Sequence, residues 1–542
     1  MSKRETSVLI VGAGPVGLTL ALDLARRGVD SIVVEQRRPE ERATPRANHV
    51  SARAMETFRR LGLADHVRAA GLPADYPPDV AWVTSMTGHE LTRIRLTPGD
   101  KTGEGYADSD WPTPEPQHKI NQMFLEPILR RHAMHNLRIT LLTRTRLDTF
   151  EQADGVVSQL TDLEAEQRME IASRFIVGCD GGASTMRKLI GAAFEGDPAL
   201  TRVVSLHVRV PDLVRRLAKP AHRYFTVNHM QNGVSVTLDG RELWSFHIML
   251  PTPESEPADL DRARAIAALT GIDDLRYEIF AEDVWTGRRL LADRFRAGHA
   301  FLCGDAAHIW VPNAGYGMNA GIADAENLAW RLAGMLQGWG GEGLLAGYER
   351  ERHPITDQVS RFAKDLAVKN RAAAFRTPSP ELSADTPEGA GLRARVGAAL
   401  YELNLPQFTP LGLNFAYFYD DSPNIVYDGA ETPPYDLGTY TPSTVPGCRA
   451  PHFYMADGRS LYDCLGDGFT LVRMDSAVSV NALLAAARER GIPFDVLDAP
   501  KADYERKLTL VRPDRHVSWR GDGAPDDVAA LLDRISGATS AQ

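Results

Sequence analysis

The chain opens on an apolar run, Val8-Leu9-Ile10-Val11, which breaks into Gly12-Ala13-Gly14-Pro15-Val16-Gly17 and resumes as a helical pattern over 18–27. A second apolar run, Ile32-Val33-Val34, ends at Glu35 and Gln36. The pattern predicts strand, tight turn, helix, strand and then an acid. Helical periodicity returns over 51–61, closed by Gly62, and over 122–135, where Leu125, Ile128 and Leu129 share a face. Residues 138–160 alternate apolar and polar, as half-exposed strands do. A short buried strand over 174–177 runs into Cys179-Asp180-Gly181. Between 202 and 290 the alternation recurs in 203–210, 223–227, 234–238 and 243–250, an antiparallel sheet inserted into the first fold. Ala300-Phe301-Leu302-Cys303-Gly304-Asp305 resumes that fold, and a long helix is expected over 317–336, with helical stretches continuing to about residue 375.

Punctuation divides the rest. Residues 73–119, rich in Pro, Asp and Gly, predict strands and loops over a site. The stretch 376–390, with three prolines, predicts a surface loop or linker, and 431–446 marks a last boundary. Beyond it come strand 469–473, helix 480–490, strand 494–497 and a hairpin through 508–511 and 516–519. That order is thioredoxin-like, but without the redox C-x-x-C pair. The expected architecture is therefore α/β, a Rossmann-like domain with an inserted antiparallel sheet and a C-terminal thioredoxin-like domain. Boundaries are expected at 1–75, 121–200 and 291–375 for the nucleotide domain, 76–120 and 201–290 for the inserted domain, 376–434 for a helical or loop linker, and 435–542 for the last domain.

The first unit has the layout that holds an adenine dinucleotide. Gly12 permits the turn, Gly14 lets the backbone approach a pyrophosphate, and Gly17 lets helix and strand pack closely. The diphosphate would sit on free N–H groups at the helix end, with Pro15 and Val16 in its first turn. Glu35 can accept from both ribose hydroxyls. Two more strand ends could converge on the same crevice: Asp180-Gly181 with Ser184 and Arg187, and Gly304-Asp305 with Pro312, Gly315, Gly317 and Asn319. Asp305 can accept from a ribityl hydroxyl, and the turn before Asn319 would aim a helix N-terminus at a flavin pyrimidine edge. The plainer alternative is that both acids simply cap helices.

Composition narrows the partners. With 542 residues, about three domains are expected. A net charge of −10 argues against nucleic acid, since no basic stripe is available to neutralise phosphates. Four scattered cysteines, Cys179, Cys303, Cys448 and Cys464, fit a reducing cytoplasm rather than a disulfide framework or zinc site. No metal is expected: there is no H-E-x-x-H, and His132 with His135 reads as a helix-surface pair. Lys3 and Arg4 before an apolar stretch imitate a secretory signal, but the nucleotide fingerprint occupies that stretch. No run of about 20 apolar residues predicts a membrane span.

Together the three motifs resemble those of the group A flavoprotein aromatic hydroxylases, the para-hydroxybenzoate and phenol hydroxylase family. The likeness continues through Ala450-Pro451-His452, 457–463, Arg512-Pro513-Asp514 and Trp519-Arg520, which resemble the C-terminal domain of the phenol hydroxylase branch. The resemblance implies that Gly12, Gly14, Gly17 and Glu35 hold the ADP half of FAD, that Arg46 touches the pyrophosphate side, and that Gln122 contacts the flavin. Asp180 and Arg187 would serve FAD and transient NADH or NADPH docking. Asp305, Gly315, Gly317, Met318 and Asn319 would wrap the ribityl chain and ring, and the Pro312 carbonyl would line the site of oxygen transfer. One departure stands out: where the family commonly reads Pro-Pro-x-Gly-Gly-x-Gly, this chain reads Val311-Pro312-Asn313-Ala314-Gly315-Tyr316-Gly317.

The implied reaction is reduction of FAD by NAD(P)H, capture of O2 as a flavin C4a-hydroperoxide, and oxygen transfer to a substituted phenol. Such a site needs a base or proton relay, because an unperturbed phenol has a pKa near ~10. His49 is the first candidate, with Asp108 and Asp110 second. Tyr224, Trp244 and His247 would floor the substrate pocket. With a single dinucleotide fingerprint, the nicotinamide is expected to visit and leave. A homodimer is expected by resemblance. Tailoring or inactivation of a polyketide or antibiotic shares every cofactor motif; a flavin dehydrogenase or oxidase and a FAD-holding non-enzyme are the more distant readings.

Overall fold

Strands apolar on both faces call for cover on both sides, and Leu9, Ile10, Val33, Ile176 and Leu302 are all fully buried. In the computed structural model, which describes residues 2–41, 44–99, 101, 104–250, 252, 255–311, 315–375, 379–500 and 504–538, they lie in one sheet. Its parallel strands run in the order Ala300–Leu302, Gln167–Gly178, Ser2–Val11, Ser31–Val34 and Ile139–Leu142. Thr145–Gln152 and Val156–Asp162 make an antiparallel meander against the start of Gln167–Gly178. The helices Pro15–Arg26, Gln122–Met134 and Gly317–Leu336 pack side by side on this layer. This is the Rossmann-like fold expected.

The second sheet has eight strands, in the order His308–Ile309, Glu278–Ala292, Phe194–Arg209, Leu243–Met249, Gly233–Thr237, Arg223–Thr226, Val80–Val83 and Glu90–Ile94. It is antiparallel except where Arg223–Thr226 runs parallel to Val80–Val83. The exception arises because Val80–Val83 and Glu90–Ile94 come from a separate, earlier excursion of the chain, so no hairpin dictates the direction of that pairing.

Opposed residues share a face, so the register divides this sheet cleanly. Tyr224, Trp244, Phe246 and Leu206 point one way, into a core with Ile266 and Leu269 of the helix Arg262–Thr270. Arg223, Phe225, Ser245 and His247 point the other way. There the helix Pro387–Phe408 brings Leu400 and Phe408 against Trp82 and Val80. That helix begins inside the stretch read as linker. Thr386 caps it by accepting from the Gly389 N–H, and Pro387 suits a first helical position, where no N–H is needed.

The C-terminal sheet has the order Phe494–Asp498, Phe469–Arg473, Leu508–Val511 and Val517–Gly521, with only the first pair parallel. Helices Asn481–Glu489 and Val528–Ser536 complete the thioredoxin-like unit, the latter not anticipated from the sequence. All four cysteines are free. No helix among the described residues is long and apolar enough to cross a membrane.

Candidate active site

Val11 lies in register with Val34 and Gly178, and Gly178 with Leu302. Gly12, Cys179-Asp180 and Cys303-Gly304-Asp305 therefore leave the same sheet edge side by side, at the crevice where such sheets bind ligands. Gly12 has φ +107°, and a Cβ there would lie 2.3 Å from the Cys179 carbonyl oxygen. At Gly17 a Cβ would lie 2.1 Å from the Gly12 oxygen, whereas at Gly14 it would meet nothing within 4 Å. The helix Pro15–Arg26 starts at Gly14 with no side-chain cap, leaving first-turn N–H groups for an anion. Val16 fits over Gly304 and Gly321, tying this helix to Gly317–Leu336.

Glu35 accepts from the Ala13 N–H (3.1 Å), the Arg37 N–H (2.9 Å) and Arg37 Nη2 (3.1 Å). Burial works to raise its pKa, but the Arg37 hydrogen bonds outweigh it and hold the carboxyl low. Gln36 is exposed beside it. Arg37 also bonds Glu126 at 2.8 Å, on the helix headed by Gln122. The Gln122 N–H donates to the Ala47 carbonyl (2.7 Å), next to exposed Arg46.

The other two motifs differ in how they use their acids. Asp180 accepts from Ser184 Oγ (2.6 Å) and from the Thr185 and Met186 N–H groups (2.7 and 3.1 Å), so its carboxylate caps the helix Thr185–Leu189. Arg187 reaches across to the Ala306 and Gly182 carbonyls (3.1 and 3.0 Å) and lies over the Phe194 ring. Asp305, by contrast, is exposed. Protein crowds it on its other sides, and that desolvation raises its carboxyl pKa. An open carboxylate at the floor of a crevice, an unobstructed Gly14 and an uncapped helix end fit a nucleotide-linked cofactor.

At the start of Gly317–Leu336, Asn319 accepts from the Ser51 N–H (2.8 Å) and donates to the His49 and Gly315 carbonyls (3.1 and 2.7 Å). Its side chain is thus spent on clamping the 49–51 segment to the turn, where Gly315, Gly317 and Met318 are half-buried. Pro312 lies outside the described residues. Behind the turn, His308 and Arg352 grip the fully buried Asp324 at 2.7 Å each. Burial opposes ionisation of Asp324, yet these partners pull it down to about 2.

His49 is buried, and a Cβ at Gly315 would sit 3.2 Å from its Nδ1. Its Nε2 lies 2.8 Å from Gln117 Oε1. Gln117 Nε2 donates to Asp108 Oδ2 (2.8 Å), and Asp108 Oδ1 accepts from the Thr97 N–H and Oγ1 (both 2.8 Å). Asp108 thus reaches His49 through Gln117, while Asp110 is exposed and outside this chain of bonds. Burial, then the charge of Lys119, drives the His49 pKa well below its ordinary value.

On the sheet, only part of the expected floor faces this group. Tyr224 and Trp244 are 1% and 0% exposed and occupy the opposite face, because their register partners belong to the core under Arg262–Thr270. His247 lies on the near face, half-buried, with Nδ1 2.7 Å from Ser205 Oγ. Arg223 shares that face.

Residues 5–363 match the family described as FAD binding domain, and 443–539 match aromatic-ring hydroxylase, C-terminal. The chain belongs to the group A FAD-dependent aromatic hydroxylases. Tetracenomycin B2 monooxygenase-dioxygenase of Streptomyces olivaceus is 31% identical, over 99% of this chain and 98% of that one. Phenol 2-monooxygenase of Pseudomonas sp. (strain EST1001) is 29% identical, over 98% and 93%. Structures of the rebeccamycin biosynthetic enzyme RebC, one with reduced flavin and one chromopyrrolic acid-soaked with bound 7-carboxy-K252c, match with TM-score 0.90 and 35% identity. These alignments cover 99% of this chain and 100% of RebC. This hydroxylase is accordingly a flavoprotein aromatic monooxygenase, and FAD is its cofactor.

Sequence reasoning passed over Arg37, Gln117, Lys119 and Arg223 in this hydroxylase. For Arg223 a signal existed: a cation alternating with Phe225 and Val227 on a strand covered on both sides is out of place in a core. Gln117 and Lys119 flank His118 in a loop and carried no period to read.

Proposed function

We propose that this hydroxylase draws electrons from NADH or NADPH and places one atom of O2 on a phenolic ring lying between the Arg223–His247 face and the Gly315 turn. FAD would supply the reductive activation of O2. The chain's own contribution centres on His49. Because the Gln117 amide nitrogen is committed to Asp108, its oxygen faces His49 Nε2. Nε2 therefore faces an acceptor, and Nδ1 lies beside Gly315, whose backbone also hydrogen-bonds the ring.

A neutral imidazole with a depressed pKa is too weak to remove a proton outright from a phenol of pKa near ~10. It can accept a hydrogen bond and polarise the O–H as the ring is attacked, with Gln117 and Asp108 holding its tautomer. This hydrogen-bonded series is the observation that carries the reading. Buried side chains around it keep water from the reacting atoms.

The RebC likeness, at 35% identity, favours a fused polycyclic substrate in a tailoring reaction over a simple phenol of catabolism. The test is to incubate yellow holoenzyme with phenols and hydroxylated polycycles, following nicotinamide oxidation and product mass. Gain of one oxygen, tightly coupled to nicotinamide use, is expected. His49→Leu should lower kcat about 10²-fold with little change in KM. Nicotinamide oxidation that never yields product would defeat the proposal, as would anaerobic flavin reduction by the aromatic compound alone.

A further inference from the structure

A cavity of about 30 Å³ lies between the start of Gly317–Leu336, the middle of Glu342–Phe375 and the segment around Leu413 and Tyr417. No residue of the strands bearing Arg223 or His247 lines it. Arg53, Trp310 and Thr356 do, and they are 6%, 8% and 1% exposed. Arg53 Nε and Nη1, Trp310 Nε1 and Thr356 Oγ1 are all buried with no hydrogen-bond partner among the described residues.

The charge of Arg53 is unanswered as well. Among the described residues it forms no ion pair; its guanidinium lies over the Tyr417 ring, 4.3 Å from the centroid. Its Nη2 faces His516 Nε2 at 3.0 Å, and His516 Nδ1 donates to the Gly447 carbonyl at 2.8 Å. Burial, then the charge of Arg53, lowers the His516 pKa to about 3, so that ring is a neutral acceptor. Arg352, the other cation on the cavity wall, is paired with Asp324 at 2.7 Å. The acids flanking Arg53 are taken too, Asp514 by Arg512 and Glu56 by Arg449 and Arg515. No carboxylate lines the cavity.

We infer that this cavity is a binding site for a small monovalent inorganic anion of the halide class, held by Arg53, Trp310 and Thr356. The inference is independent of the reaction proposed above. One unmatched guanidinium calls for one negative charge, because a buried charge is costly until it is paired. The unspent polar atoms are three N–H groups and a hydroxyl, a set that donates to an anion and offers a cation nothing but the hydroxyl oxygen. Size excludes larger anions: a water needs roughly 10–15 Å³ of such space, and Ile355, Val359 and Leu413 make the rest of the wall apolar. The wall also includes Tyr316 and Asn319, so a bound anion braces the turn that begins Gly317–Leu336.

The experiment titrates sodium bromide into FAD-loaded enzyme in halide-free sodium gluconate, at constant ionic strength, and follows melting temperature. A saturable rise of about 2 °C is expected. Crystals grown with bromide should show an anomalous peak between Arg53, Trp310 and Thr356. Arg53→Met should remove the rise, and Trp310→Phe, which keeps a ring but loses the N–H, should weaken bromide binding about tenfold. If Arg53→Met does not fold, Trp310→Phe and the bromide crystals decide. A melting temperature that does not respond to bromide, or a response that never saturates, overturns the site. So does a response undiminished in the variants, or water alone in the cavity of bromide crystals. A bromide peak without saturable stabilisation marks an adventitious ion only and overturns it as well.

Discussion

Two groups of inward-facing cations in this protein look alike in sequence and do opposite things. Between the long helices and the C-terminal domain, Glu351 pairs with Arg331 at 2.7 Å and Arg512 at 2.6 Å, Arg512 also pairs with Asp514, and Asn327 bonds both Glu351 (2.8 Å) and Asp514 (3.1 Å). These side chains are all almost wholly buried, and Arg515 and Arg449 share Glu56 nearby. Under the inserted sheet, Arg223 and Lys119 form no ion pair among the described residues, and of the carboxylates Asp108 acts on Lys119 by its charge alone. A matched cluster sets how domains meet; an unmatched one keeps donors unspent. Partner acids, not burial, make the difference.

The largest expected effect is on the matched side. Glu351→Gln leaves two buried guanidiniums with Asp514 alone and should cost about 3–5 kcal/mol, read as a lower urea midpoint. An unchanged midpoint would erase the contrast.

Acid should attack the same half of the molecule. Burial disfavours the charged forms of Asp324 and Glu351, but Arg352 and His308 for the first, and Arg331 and Arg512 for the second, hold both near a pKa of about 2. A folded pKa below the unfolded value gives stability that is complete above about pH 5 and fades as pH falls toward 2. For Asp324, shifted from 3.8 to about 2, this is worth about 2 kcal/mol. Melting curves between pH 7 and 3 should show the loss in wild type and a smaller one in Asp324→Asn.

A similar division separates two glycines. Gly17→Ala should destabilise the apoprotein and expel FAD, because the new Cβ meets the Gly12 oxygen at 2.1 Å. Gly14→Ala has open space before it and should spare the apoprotein while weakening FAD binding about tenfold. Flavin-to-protein ratios and apoprotein melting distinguish the two.

The smallest effect is the sharpest test. Arg223→Met should leave stability unchanged or raise it by about 1 kcal/mol, the reverse of Glu351→Gln. A substantial loss would mean that Arg223 has a structural partner after all.

Much of the cofactor side was readable in the chain. Gly12, Gly17 and Glu35 sit at spacings that local geometry dictates, and the strand ends at Asp180 and Asp305 announce themselves by apolar runs. Their shared chain direction then puts them on one edge. What spacing did not reveal is that the Asp180 carboxylate and the Asn319 amide are consumed by capping and clamping. A motif reports where the backbone goes, while side-chain use depends on neighbours such as Ser184 and Ser51. The inserted sheet was legible as strands, but not that Tyr224 and Trp244 lie in a buried core on the face opposite Arg223 and His247. A strand covered on both sides gives no hydropathy signal for which side meets the pocket.

By itself, then, the sequence determined the nucleotide crevice, the inserted sheet and the family, because these follow from short-range periodicity and from turns that admit only glycine. Tertiary structure alone decided which charges are matched. Glu351 and Arg512, or His49, Asp108, Lys119 and Arg223, are brought together by folding across long stretches of chain, and an ion pair, or its absence, exists only between groups already adjacent in space.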